Sequence, residues 1–365
     1  MTNSYLTPLL QRLPALVGQA GKSGVMLGTV CSIDLNLKGF PFVGWSTAES
    51  RCAVQKLLLP VIDKLAPCKW VLRAPLEELT QELRYLLLER GQITPTLAAR
   101  RDNASVLIND QQDTLCLIND EEHLSFQRFT PGAAFDASAA DSLLQLRDAL
   151  AHELPLAYSG VFGYTMGDPT KSGEALYFSV LMRLPALRLD RRLEAVFRAL
   201  EDMEVFYSPL FPGFKEDVGD LYLLHAPSAP LHKREQLLER MQYITHDLAR
   251  QELNARARLL QGAKSAAKLQ KATAAALRSL SHAKQLKYKD MLESLSLIRL
   301  GLDTGLLKAA RPKKAEQLLC RAYLDAAPAF LRFCRDCRTR TASRKARAAY
   351  MQELFTQSLS LTPTF

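Results

Sequence analysis

The run Asn119-Asp120-Glu121-Glu122-His123-Leu124 places three consecutive carboxylates and a histidine directly behind two strand-like segments. Those segments, Ser105 to Ile108 and Thr114 to Ile118, flank the polar turn Asn109-Asp110-Gln111-Gln112-Asp113, and the whole stretch predicts a β-hairpin. Further along, Ser138 to Glu153 has leucines at helical spacing, and Ser159-Gly160-Val161-Phe162-Gly163-Tyr164 is rich in glycine. Leu176 to Leu187 alternates as a strand interrupted by Pro185, Arg191 to Leu200 has a helical pattern, and Asp220 to His225 is a second short strand. Toward the N-terminus, residues 5 to 100 alternate helical patterns with breaks, including Leu57 to Ile62 and Leu76 to Glu89.

From Lys233 the texture changes to long amphipathic helices over 233–260, 274–307 and 316–334, with the Ala/Lys-rich stretch 262–276 as an exposed helix or joint. Strands mixed with helices, followed by helices alone, predict an α+β domain over residues 1–255 and a basic, all-helical C-terminal domain over 256–365.

The 365 residues are 48% hydrophobic, enough for two globular units with real cores and too many for one long disordered chain. The net charge of +9 is unevenly placed: residues 256–365 hold 22 Lys and Arg against 7 Asp and Glu, a balance of +15 that leaves −6 for residues 1–255. A basic half can bind nucleic acid, an anionic membrane or phosphorylated protein. No basic-then-apolar leader and no run long enough to span a membrane is present, so a cytoplasmic location without a membrane partner is expected. The seven cysteines mostly sit among apolar residues, as Cys31 and Cys116 do, which suits buried reduced thiols. Cys334 and Cys337 form a lone CxxC without a second ligand pair, so no metal is expected. The lysine runs 264–271 and 284–289 have few aromatic residues near them and match no known nucleic-acid motif, so nucleic acid is not an expected partner.

The acidic run resembles the Asn-Glu-Glu-Asp-His-Leu signature of the ATP:guanido phosphotransferases, the phosphagen kinase family. The second carboxylate after the asparagine, here Glu121, is the family's base against the substrate guanidinium. That group has a pKa above about 12 and needs a carboxylate held against the nitrogen as it attacks phosphorus. Other segments match in order: Asn36 to Phe42, Phe162 to Thr170, Ser179 to Leu187 and Val218 to Tyr222. Leu295 to Leu306 is similar to a segment of the bacterial protein-arginine kinases, and Arg347-Ala348 fits the end of their phosphoarginine-reading Arg-Asp-x-x-Arg-Ala motif. The resemblance implies an antiparallel sheet flanked by helices, with a helical part that binds phosphoarginine and dimerises. It also implies Mg-ATP as the phosphoryl donor.

The family surrounds the ATP phosphates with arginines, whose forked donors fit phosphate oxygens. Carried over by resemblance, those positions fall on Val30, Ser32, Ser125, Tyr177 and Ser208; on the substrate side, the cysteine falls on Asp168 and the second carboxylate on Gly213. Lys38, Lys171 and Lys215 are candidate replacement charges, though an ammonium lacks the bidentate fork. Glu121 is thus a candidate base or the vestige of one, and His123 reads as a structural histidine. The glycines at 160, 163, 167 and 173 read as tight-turn residues.

In the C-terminal part, Arg335, Arg344 and Arg347 are candidate anion ligands, but Ser343-Arg344 replaces the Arg-Asp pair, and the alternative anchor Arg335-Asp336 has Thr339 where arginine belongs. The expectation is a protein-arginine-kinase homologue acting as a pseudokinase scaffold with no cofactor. Its partners would be proteins, among them arginine-phosphorylated proteins or a protease–chaperone system, or a second copy in a homodimer. The alternatives are an active Mg-ATP-dependent protein-arginine kinase with a rebuilt nucleotide site and an adaptor working through the C-terminal helices alone.

Overall fold

A computed structural model describes residues 24–66, 68–100, 102–132, 135–211, 214, 217–226 and 234–364. The described residues divide into two compact units, one within 28–180 and 225–243, the other within 24–27, 181–224 and 244–364.

In chain order the first part comprises β1 (Met26–Leu35), α1 (Ala48–Leu65), β2 (Trp70–Pro75), α2 (Gln81–Glu89) and α3 (Pro95–Ala99). The hairpin β3 (Ser105–Asn109) and β4 (Thr114–Ile118) follows, then β5 (Leu124–Pro131), α4 (Ala137–Glu153), and the short strands β6 (Tyr158–Ser159) and β7 (Gly163–Tyr164). The predicted hairpin and helix are therefore present. Threonine hydroxyls start the helices: Thr47, Thr80 and Thr94 each accept from a backbone N–H three residues on.

β8 (Leu176–Arg183), α5 (Pro185–Leu189), α6 (Leu193–Asp202), β9 (Phe206–Pro209) and β10 (Leu221–Ala226) complete the mixed region. The strand predicted to reach Leu187 stops at Arg183, because Pro185 opens a short helix at a position where its missing N–H costs nothing. The large sheet has strand order β2-β3-β4-β5-β1-β8-β10-β9. The pairings of β2 with β3, β3 with β4, β4 with β5 and β5 with β1 are antiparallel. Cys31 and Cys116 lie buried in it, as their apolar neighbours suggested.

The C-terminal part is α7 (Arg234–Gln261), α8 (Ala263–His282), α9 (Tyr288–Asp303), β11 (Leu307–Ala309), α10 (Pro312–Asp325), α11 (Pro328–Arg335), α12 (Arg340–Glu353) and β12 (Leu361–Pro363). The long helices predicted over 274–307 and 316–334 are each two helices, broken at 283–287 and before Pro328. The exposed stretch from 262 is continuous helix. Where α8 meets α9, a Cβ on Gly301 would lie 2.7 Å from the Thr273 methyl, so the two helices approach at a residue without a side chain. In this second unit buried charges are paired. Arg183, 1% exposed, donates to the Gly24 carbonyl and pairs with Asp303; Glu252 binds Arg256 at 2.9 Å and accepts the Ala186 and Leu187 N–H groups. No described helix is long and apolar enough to cross a membrane.

Candidate functional site

The acidic run turns between β4 and β5, and packing gives its members different tasks. Asn119 takes a positive φ of 58° and fixes the turn, its amide nitrogen donating to the carbonyls of Arg51 (2.9 Å) and Asn103 (2.6 Å). Asp120 is buried and accepts from the Thr94 hydroxyl at 2.6 Å; burial pushes its carboxyl up to about 6. Glu122, also buried, accepts from the Asn36 amide at 2.6 Å and from the Gly167 N–H at 3.0 Å. Burial raises its pKa, and those two hydrogen bonds oppose the rise.

His123 is fully enclosed. The Leu37 N–H donates to its Nδ1 at 3.0 Å, so its Nε2 carries the proton and donates to the Pro41 carbonyl, also at 3.0 Å. Burial lowers its pKa and keeps it neutral. It is a structural histidine holding the 36–42 segment, as its reading in the sequence proposed. Of the three carboxylates, Glu121 alone faces solvent, and its partner is the Lys171 ammonium at 3.1 Å.

The neighbouring sheet face follows from strand alternation. Cys31, Ile33 and Leu35 enter the core, while Val30, Ser32 and Asp34 share the opposite face, across from Phe129, Gln127 and Ser125 on β5. Asp34 lies directly opposite Ser125 and takes a hydrogen bond from its hydroxyl. Burial pushes the Asp34 carboxyl up to about 7; the Ser125 hydrogen bond works against this, and Glu122 and Glu121 add to it. The Tyr177 hydroxyl donates to the Lys171 carbonyl at 2.7 Å, and burial, followed by Asp34, raises its pKa. Ser179 and His225 Nδ1 lie 2.9 Å apart, with burial, then Lys171, holding His225 down to about 4. Burial works against the Lys171 charge as well, but Glu121, Asp34 and Asp168 together outweigh it and hold the ammonium pKa above the ordinary lysine value.

Four of the five positions to which the resemblance assigns the phosphate-binding arginines, Val30, Ser32, Ser125 and Tyr177, thus belong to β1, β5 and β8, neighbouring strands of one sheet. Asp34 stands among them. The fifth, Ser208, is on β9 in the other unit, beside Tyr207, which stacks on Phe197 at 3.7 Å. Gly213 and Lys215 lie outside the described residues. Asp168 is exposed and caps its own turn, accepting from the Thr170 N–H at 3.0 Å and hydroxyl at 2.7 Å. Lys38 is exposed. Gly163 (φ 74°) meets Gly173 so closely that a Cβ would lie 2.4 Å from the Gly173 carbonyl oxygen, a tight-turn role for that pair.

Sequence reasoning missed Asp34, Asn36 and His225. A lone aspartate in the apolar run Met26–Leu35 was the available signal for the first. Among the described residues, the titratable side chains that act on Asp34 are those of Glu122, Glu121 and Lys171.

Among the C-terminal candidates, Arg347 is buried and donates to the carbonyls of Ala326 (2.7 Å) and Leu286 (3.0 Å), with its guanidinium over Tyr288. It ties helix ends together. Arg344 is half-buried, and Arg335 is exposed with its guanidinium 5.4 Å from the Tyr350 ring centre.

Residues 63–257 match the family ATP:guanido phosphotransferase, C-terminal catalytic domain. The chain is 26% identical over 292 residues to the protein-arginine kinase of Halothermothrix orenii, covering 80% of this chain and 82% of that protein. It is 27% identical over 328 residues to that of Moorella thermoacetica, covering 87% and 89%. Among solved structures, the duplicated taurocyamine kinase of Schistosoma mansoni with bound transition-state-analogue components aligns at a TM-score of 0.57 and 18% identity. That alignment covers 71% of this chain and 39% of the duplicated kinase. Lombricine kinase aligns at a TM-score of 0.53 and 17% identity, covering 68% and 71%; these two likenesses concern the fold. The chain belongs to the ATP:guanido phosphotransferase family.

Proposed function

We propose that this protein is a protein-arginine-kinase homologue that no longer transfers phosphoryl groups and acts as a regulatory or binding scaffold. The observation that carries the reading is the substitution of charge around Asp34. The inherited phosphate positions hold Val30, Ser32, Ser125 and Tyr177, while the charged groups among them are three carboxylates and one ammonium. Hydrogen bonds to charged groups contribute roughly 1.5–3 kcal/mol each, so five missing arginines amount to about as much as, or more than, the roughly 8 kcal/mol that binds a micromolar ligand. The Asp34 carboxyl group, which accepts from Ser125 beside these positions, adds no phosphate-binding charge. Without a bound phosphoryl donor, Glu121 has no reaction to assist.

In this reading the fold and the basic residues 256–365 serve protein partners in the cytoplasm, among them arginine-phosphorylated proteins, a protease–chaperone system or a second copy. Arg335 and Arg344 are the anion ligands available for such a partner, since the Arg347 donors are engaged with backbone carbonyls. The test is incubation of the protein with Mg-ATP and a protein substrate, followed by detection of phosphoarginine. None is expected. Phosphoarginine that forms, and disappears in Glu121→Gln, would overturn the proposal.

One observation favours the active-kinase alternative: Lys171 stands within the cluster, where a replacement phosphate ligand would be needed. Its charge is already matched by Glu121, which is why the scaffold reading is preferred.

A further inference from the structure

Helix α8 carries five basic residues, Lys264, Lys268, Lys271, Arg278 and His282, and no acidic one. At 3.6 residues per turn, these five and Ala275 fall within about 40° of a single line along the helix. All six are exposed, whereas Leu269, Thr273, Ala276 and Leu280 are buried. From Lys264 to His282 the line runs about 27 Å at the helical rise of roughly 1.5 Å per residue.

Some exposed cations elsewhere have acidic partners, as Lys64 has Glu153, Arg73 has Asp63, Arg250 has Asp247 and Arg338 has Asp336. None of the four permanently charged side chains on this line enters an ion pair among the described residues. Such an unneutralised row repels itself and is complementary to a line of negative charge.

The chemistry of the line selects the partner. A protein interface concentrates its affinity in large aromatic or aliphatic anchors, and here the residues between the cations include exposed Ala267 and Ala275 instead. Single-stranded nucleic acid is held by aromatic side chains that stack on bases, and α8 has none. A duplex presents closely and regularly spaced phosphates, which cations on a smooth helix face can track without touching a base. The scarcity of aromatic residues that argued against nucleic acid in the sequence therefore excludes base stacking and leaves backbone contact open. We propose that the stripe Lys264–Lys268–Lys271–Arg278 binds double-stranded nucleic acid through its phosphates, without reading sequence. This surface is independent of whether the chain transfers phosphoryl groups.

The test is fluorescence anisotropy of the full chain with a labelled DNA duplex of about 25 base pairs across a salt series. Four phosphate contacts give a log–log slope of about −3 to −4, which is roughly a hundredfold weaker binding at about 200 mM salt than at about 50 mM. The variant Lys264→Gln/Lys268→Gln/Lys271→Gln/Arg278→Gln is expected to lose this binding while keeping the wild-type unfolding midpoint. A control with the same loss of charge, Lys313→Gln/Arg332→Gln/Arg340→Gln/Lys345→Gln, is expected to retain most of it. No binding at the lower salt, or equal loss in both variants, overturns the proposal. Polyglutamate that binds more tightly than the duplex would assign the stripe to an acidic protein and also overturn it.

Discussion

Lys171 holds its ammonium 3.1 Å from the Glu121 carboxylate, so the outward-facing acid of the signature run is matched by a cation of the chain's own. In a guanidino kinase the base must meet an external guanidinium. Here the partner that Glu121 meets is an internal ammonium, which Asp34 also acts on.

Both partners of that ion pair are substantially exposed, with side chains 44% and 63% accessible. Exposed pairs contribute about 0–1 kcal/mol, so Lys171→Met is expected to change stability by less than about 1 kcal/mol. Chemical denaturation checks this; a larger loss would mean that the lysine supports the fold.

The Asp34 carboxyl has a folded pKa of about 7 against an unfolded value of 3.8. Between these values the native state binds more protons than the unfolded chain, so this group's contribution is full below about pH 4 and is lost as pH rises through 7. Asp34→Asn is therefore expected to stabilise the protein at pH 8, by on the order of 2 kcal/mol after allowance for its partial exposure, with the gain vanishing near pH 4. Unfolding curves at the two pH values test the sign.

Asn36 ties three connecting segments of the site together, donating to Glu122 at 2.6 Å and to the Thr165 carbonyl at 3.0 Å while accepting the His123 N–H at 3.0 Å. Asn36→Ala leaves a buried carboxylate and a buried N–H without those partners, and a loss of about 2–4 kcal/mol is expected. Glu122→Gln in the same background is expected to recover part of it, which a double-mutant cycle measures.

Gly301→Ala places a methyl against Thr273 and Leu307 at the α8–α9 crossing. Overpacking of this kind costs about 1–3 kcal/mol, and the unfolding midpoint is expected to fall accordingly. An unchanged midpoint would indicate that the two helices separate freely.

Local pattern was enough to place the hairpin β3–β4, the helix Ala137–Glu153 and the strand Leu221–Ala226, whose residues repeat at their own periods. It was not enough to divide α8 from α9. Apolar residues continue through Leu277, Leu280 and Leu286, and neither glycine nor proline marks the break at 283–287. Pro185 interrupted the strand pattern without revealing that it begins a helix. In the site, the acidic run and Glu121 were legible because they are contiguous. Asp34 acquires its character first from burial, which raises its pKa, and then from Ser125, 91 positions away, and from Glu122, Glu121 and Lys171, neighbours that only the fold brings together.

The most direct measurement is the thermal unfolding midpoint with and without millimolar Mg-ATP. A ligand present at about 100 times its dissociation constant adds roughly 2.7 kcal/mol, enough to move the midpoint by several degrees. Coincident midpoints are predicted, because the phosphate positions around Asp34 offer no arginine; a saturable upward shift with Mg-ATP would contradict the scaffold account.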